Sequence, residues 1–416
     1  NAVVLTLDIK LQRLVEDMFG ERRGALVALD PNTGEVLAFV SKPTFDPNLF
    51  VEGIDVENWR MLNDSLDKPL LNRALRGTYP PGSTYKPFMG LAALTLGKRT
   101  PQTITQDPGF WMFGNHRFRS HGDSGLGAVD LHRSIVKSSN VYYYALANDL
   151  GVDAIHDFMA PLGFGQITGL DMRGEVRGVL PSQAWKRAAY KRPEQQRWYA
   201  GETISLGIGQ GYNSFTMLQL AQATGIVANR GVRHTPHIGL ATENAVTGVR
   251  TPLPRPPGEP LALDPAHIEH VVRAMVGVTQ EGTSTRVFAG APYLSAGKTG
   301  TAQAVTIGQK DKYDARKLEE RQRDHSLYIA FAPAERPKVA LAVVVENSGF
   351  GAAHAAPIAR RVFDYLLLDQ YPNAEDMAAL QKGLAAAPIG QPLKASEVPV
   401  LLETTAPTAD RPAAQK

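Results

Sequence analysis

The stretch Tyr79-Pro80-Pro81-Gly82-Ser83-Thr84-Tyr85-Lys86-Pro87 sets a rigid turn against the start of a helix. Pro80-Pro81-Gly82 restricts the backbone, and the apolar run Phe88–Leu96 that follows predicts a buried helix. Ser83 then stands at a helix N-terminus, where unpaired backbone N–H groups and the axial dipole favour negative charge. Lys86, three residues on, shares its helical face and can reach the Ser83 hydroxyl. Pro87 is tolerated because residues of the first turn donate no intrahelical hydrogen bond. By itself the pair also fits a plain capping serine.

Three other serines have a lysine at the same spacing, Ser65, Ser134 and Ser295. Lys68 precedes Pro69 in a polar stretch without helical character. Ser134 and Lys137 fall inside a helix, where the dipole helps neither group. Ser295 belongs to a strand-like run, and positions three apart on a strand face opposite sides. Only Ser83 combines a helix N-terminus with a base one turn on. Two further short motifs occur once each: Ser138-Ser139-Asn140 and Lys298-Thr299-Gly300-Thr301.

Outward from these motifs, Asp8 or Thr6 caps a helix ending at Gly20, and Asp30-Pro31-Asn32-Thr33-Gly34 joins two β-rich runs, 24–29 and 35–41. Helices are predicted over 130–150, 216–229 and 264–279, and strands over 295–305, 327–333 and 339–346, before a last helix at 356–368. Strands from both termini around a helical middle predict one antiparallel sheet flanked by helices, with an all-helical subdomain. The alternation of a doubly wound parallel sheet is absent. With 44 Lys and Arg against 41 Asp and Glu, the net charge of +3 excludes a protein devoted to nucleic acid. Cysteine is absent, so thiolate nucleophiles and Cys-bound metals are excluded. Thr251–Pro260 holds five prolines and reads as an exposed loop. Residues 385–416, rich in Ala and Pro, are expected to be a disordered tail after a domain spanning 1–384.

S-x-x-K, S-x-N and K-T-G in this order resemble the signature of penicillin-binding proteins and serine β-lactamases. The surrounding phrases Tyr79–Pro87, Gly207-Ile208-Gly209-Gln210-Gly211-Tyr212, Lys298–Gln303 and Asp324-His325-Ser326 resemble the penicillin-binding protein 2 family, class B transpeptidases of cell elongation. That likeness implies the penicillin-binding transpeptidase fold, of mixed α/β (α+β) type. It also implies a membrane helix and a pedestal domain upstream of Asn1, hence the periplasmic face of the inner membrane. The implied partners are peptidoglycan stem peptides, β-lactams, the RodA glycosyltransferase and elongation proteins, with no cofactor and no nucleic acid.

Catalysis is expected from Ser83 as nucleophile and Lys86 as base, with Ser138, Asn140 and Lys298. Thr299, Gly300, Thr301 and Gln210 are expected to bind substrate. Asn140 is predicted to follow Ser138 along an extended loop, and Thr299 and Thr301 to share one strand face. Asp324 and His325 are expected to be solvated. Some relatives bind zinc through two Asp, a His and a Cys close to S-x-N. Here Asp107, His116, His121 and Asp123 supply such residue types, but Ser139 stands where the thiolate is expected, so no metal is predicted. The alternatives are a septal class B transpeptidase, a D,D-carboxypeptidase, a β-lactamase using Glu175 as deacylation base, or a non-catalytic sensor.

Overall fold

In a computed structural model, residues 1–122, 124–304 and 318–400 are described. Helix α1 (Ile9–Phe19) starts where Asp8 accepts the Leu11 amide and stops at Gly20, as its caps predict. Strands β1 (Gly24–Leu29) and β2 (Val36–Lys42) follow, joined through the Asp30–Gly34 turn. The chain then builds its helical part: α2 (Lys86–Thr95), α3 (Leu131–Val136), α4 (Asn140–Leu150), α5 (Met217–Ala228) and α6 (Pro265–Gln280). It returns through β3 (Ala296–Ala302), β4 (His325–Ala332) and β5 (Val339–Val345) to α7 (Gly351–Leu368) and α8 (Ala374–Gln381).

The five strands form one antiparallel sheet in the order β3-β4-β5-β1-β2, so the N-terminal hairpin pairs with the last strand of the C-terminal half. Side chains alternate across it. Val27, Leu29, Ile329, Phe331 and Ala342 face a core shared with α2, α5 and α6. Leu26, Ala28, Ala330, Leu341 and Val343 face a second core under α1 and α7. Both faces being covered, β1, β5 and nearly all of β4 are buried. Helix α2 is buried from Lys86 to Leu94, the fate of a helix apolar on all sides. β3 lies at the sheet edge, so one row of its backbone groups pairs with no strand of the sheet.

Three expectations need correction. The helix predicted over 130–150 is two helices, broken at Lys137-Ser138-Ser139, where Ser138 takes a left-handed φ of 59°. Residues 385–400 are packed rather than free, for a reason distant in sequence. Arg361 and Asp376 form a buried ion pair at 2.7 Å, Arg361 also donates to Ala386 O, and Asp376 accepts the Ile389 amide. Lys10 of α1 then donates to Ala395 O. Residues 401–416 lie outside the described residues. The Thr251–Pro260 stretch is exposed as predicted, yet its ends form short strands, Arg250–Pro252 and Glu259–Pro260.

Candidate active site

Ser83 lies in a 3-10 turn, Gly82–Tyr85, that runs directly into α2. The turn is held from both sides. The Gly82 amide donates to Gly209 O at 3.0 Å, and Thr84 Oγ1 donates to Pro81 O at 2.6 Å. Gly82 has φ 55°, and a Cβ there would collide with Thr301 O, so β3 can lie directly over the turn. Gly300 faces the same junction: its Cβ would stand 2.7 Å from Thr84 Cγ2 and 3.0 Å from Thr84 N. The glycine of K-T-G is thus a packing requirement.

The two lysines are fully buried and meet at one hydroxyl. Lys86 Nζ donates to Ser138 Oγ and Ser138 O, both at 3.0 Å, and to Asn140 Oδ1 at 2.7 Å. Lys298 Nζ donates to Ser138 Oγ at 3.0 Å and to Thr299 O at 2.9 Å. Three residues expected to act together, distant in sequence, therefore share one hydrogen-bond network beside Ser83. Burial is the largest cause holding Lys86 well below the ordinary lysine range; the Lys298 charge adds to it and Asp107 opposes it. Burial brings Lys298 down to about 7.

The left-handed bend at Ser138 replaces the extended loop predicted for this motif. It sends the Ser138 hydroxyl and carbonyl to Lys86 while Ser139 turns away to cap α4, accepting the Tyr142 amide. Ser139 Oγ donates to the buried Asp107 Oδ2 at 2.7 Å, and Asp107 Oδ1 accepts the Gly109 amide. Ser139→Ala should cost about 1–3 kcal/mol, because it removes a cap and strands a buried acceptor. A denaturant midpoint lowered with unchanged m-value would check this.

On β3, the Thr299 hydroxyl lies 2.7 Å from that of Thr283, and Gln210 Nε2 donates to Thr301 O at 3.1 Å. Because Thr301 O points off the sheet edge, its N–H points there too, toward the Ser83 turn. Thr283 escaped sequence reading, since nothing in its spacing links it to a strand 16 residues on.

Outside this centre, several expectations change. Asp324 and His325 are not solvated: Asp324 is buried with its carboxyl raised to about 6 by desolvation, and His325 Nδ1 accepts the Asn347 amide. The His325 ring also packs edge-on against Tyr79. Glu175 accepts the Thr168 amide at 2.7 Å and so serves its own loop. His121 is open to solvent. Asp107, His116 and His121 form no metal-holding group; among the described residues no cluster of three or more His, Asp or Glu does. Asp123 lies outside the described residues.

Residues 24–364 match the family described as penicillin binding protein transpeptidase domain. The chain belongs to that family. It is 41% identical over 385 residues to the peptidoglycan D,D-transpeptidase MrdA of Haemophilus influenzae, covering 90% of this chain and 58% of that protein. It is 38% identical over 390 residues to MrdA of Escherichia coli, covering 92% and 60%. The chain thus spans less than two thirds of these relatives. Among solved structures, Pseudomonas aeruginosa PBP2 in complex with WCK 5153 superposes with TM-score 0.79 at 43% identity, covering 90% of this chain and 78% of that one. Helicobacter pylori PBP2 in complex with MreC gives 0.77 at 30%, covering 88% and 63%. The sheet order and helical insertion described above are therefore those of a penicillin-binding transpeptidase fold. Among the described residues no helix is long and apolar enough to cross a membrane.

Proposed function

We propose that the chain is the transpeptidase domain of a peptidoglycan D,D-transpeptidase that cross-links stem peptides during lateral wall elongation and is a target of β-lactams. The observation that carries this is the convergence of Lys86 Nζ and Lys298 Nζ on Ser138 Oγ, each at 3.0 Å, with Lys86 three residues after Ser83. Two buried amines on one hydroxyl favour one neutral amine and one ammonium, which is a base with a built-in positive neighbour.

Ser83 Oγ attacks the carbonyl carbon of the D-Ala-D-Ala peptide bond while its proton passes to neutral Lys86. The N–H groups of Ser83 and Thr301 hold the oxyanion. Ser138 relays the proton from Lys86 to the departing amine, the C–N bond breaks, and D-Ala leaves. Asn140 and Gln210 hold substrate amides, the hydroxyls of Thr299 and Thr301 receive the terminal carboxylate, and Lys298 supplies its countercharge. Gly300 lets the strand lie close. An acceptor amine then attacks the acyl carbon, gives up its proton through the same relay, and releases Ser83. Relatives bearing the MrdA name, and the H. pylori PBP2–MreC complex, support elongation over septation, with RodA and MreC-like proteins as partners. In the whole protein, a single membrane helix and a pedestal domain would precede this one and hold it at the periplasmic face.

Incubation with a penicillin followed by mass spectrometry tests this. The adduct should map to the tryptic peptide that begins at Gly77 and persist for many minutes, since no second base is engaged for water. Glu175→Ala should leave its lifetime unchanged, because Glu175 is committed to Thr168. An adduct that vanishes within seconds in the parent and persists in Glu175→Ala would make the protein a hydrolase.

A further inference from the structure

Beside the cleft, residues 182–200 form a lobe whose buried Lys186 pairs with the half-buried Glu202 in an aromatic box. Lys186 Nζ donates to both carboxylate oxygens of Glu202, at 2.6 and 2.7 Å, and sits over the rings of Trp198, Tyr199 and Tyr212. Tyr212 closes the box by donating to Glu202 Oε1. Two residues before Tyr212, Gln210 donates to Thr301 O of β3. The lobe is therefore continuous with the wall of the candidate active site.

Its outside is cationic. Arg187, Lys191, Arg192 and Arg197 are exposed, Glu194 is the lone acidic residue between 182 and 200, and Glu202 is spent on Lys186. Some surface arginines, such as Arg230, Arg233 and Arg250, rest on a carboxylate, and others, such as Arg60 and Arg273, do not among the described residues. None of the four lobe cations rests on one among the described residues. Aromatic surface accompanies them: Tyr199 is 48% exposed, with the Arg197 guanidinium 5.5 Å from its ring centre.

A neighbouring hairpin repeats the charge. Strands Phe110–Phe113 and His116–Arg119 form a hairpin with no acidic residue between Pro108 and Gly122. Arg117 and Arg119 are exposed on one face of it, Arg117 over the Phe110 ring, while Trp111 and Phe113 stack on the other. Its tip meets the lobe, with Phe113 Cε1 3.5 Å from a Cβ built at Gly201. Lobe and hairpin thus form two adjoining rims whose exposed cations have no carboxylate partner among the described residues.

We propose that these rims hold the glycan-peptide strand itself, outside the catalytic centre: guanidinium groups take stem-peptide carboxylates and the exposed Tyr199 ring packs against a sugar face. This rests on the transpeptidase reading, which identifies the polymer; charge complementarity and continuity with the cleft select it as occupant. Uncross-linked soluble glycan-pentapeptide fragments, labelled for fluorescence anisotropy, should bind the parent with an affinity that falls as salt rises. The triple variant Arg187→Glu, Arg192→Glu, Arg197→Glu should bind about tenfold or more weakly while keeping the parental rate of penicillin acylation. Amidating the stem carboxylates should produce a similar loss in the parent. Unchanged fragment binding in a variant that acylates normally overturns the proposal. So does equal competition by a single-stranded oligonucleotide, which would make the rims a general polyanion surface. Failure of the parent to acylate would instead overturn the transpeptidase reading.

Discussion

Ser83→Ala is expected to abolish covalent labelling by a fluorescent penicillin, with acylation falling by at least about 10⁴-fold, because no other hydroxyl occupies its place in the turn. The three other serines at S-x-x-K spacing should be dispensable for labelling, each for a visible reason. Ser134 Oγ donates to Leu131 O and pairs with Tyr143 OH, inside the core and off the cleft. Ser65 ends the helix Val56–Asp64 and accepts the Asp67 amide. Ser295 is buried just before β3, with a backbone that binds Thr279. Ser134→Ala removes buried hydrogen bonds and should cost roughly 1 kcal/mol of stability, yet the protein should still label. Gel fluorescence on the four variants, with circular dichroism to confirm folding, separates these outcomes. Labelling that survives in Ser83→Ala, or an adduct on another peptide, would remove Ser83 from its role.

What could be read in the sequence was local or repeated along an element. Asp8 and Gly20 bound α1 because caps act within one turn, and Asp30–Gly34 marks a hairpin because its residues alone set the turn. The sheet followed from apolar runs at both ends, and motif order pointed to Lys86, Ser138 and Lys298, which the fold brings together. What could not be read depends on contacts between distant residues. Ser138 in a left-handed conformation is uncommon for a serine, and Lys86 and Lys298 hold it from two other elements. Composition made 385–400 look structureless; a buried Arg361–Asp376 pair, invisible to composition, gives that segment its partners. Asp324 and His325 looked solvated because charge predicts exposure, yet the end of β5 and Tyr79 cover them. Ser139 followed the same logic: its place suggested a lost metal ligand, whereas it caps α4 and binds Asp107.

Lys86→Arg should reduce acylation by roughly 10³–10⁴-fold, the loss typical of removing a general base, while Lys298→Arg should retain measurable activity. An arginine at 86 stays protonated at any working pH and cannot accept the Ser83 proton. Its planar fork would also have to fit a site shaped for a single Nζ held by Ser138 O, Ser138 Oγ and Asn140 Oδ1. At 298 a permanent cation still supplies positive potential beside Ser138. The pH dependence gives the sign. Only neutral Lys86 accepts a proton, so acylation should climb as pH rises through the Lys86 pKa, and it should fall again as Lys298, brought down to about 7 by burial, loses the charge that holds the substrate carboxylate. Burial and then the Lys298 charge hold the Lys86 pKa down, so the acid limb lies well below the ordinary lysine range. Lys298→Met removes the neighbouring charge, lets the Lys86 pKa rise, and should move the acid limb to higher pH. Lys298→Arg keeps the charge and should leave the limb at or below its parental position. Stopped-flow acylation of parent and variants between about pH 5 and 10 reads all of these, the range being bracketed by the ordinary lysine value near 10.4. Equal losses in both arginine variants, or an acid limb that ignores Lys298→Met, would mean that the base and the cation have been assigned to the wrong lysines.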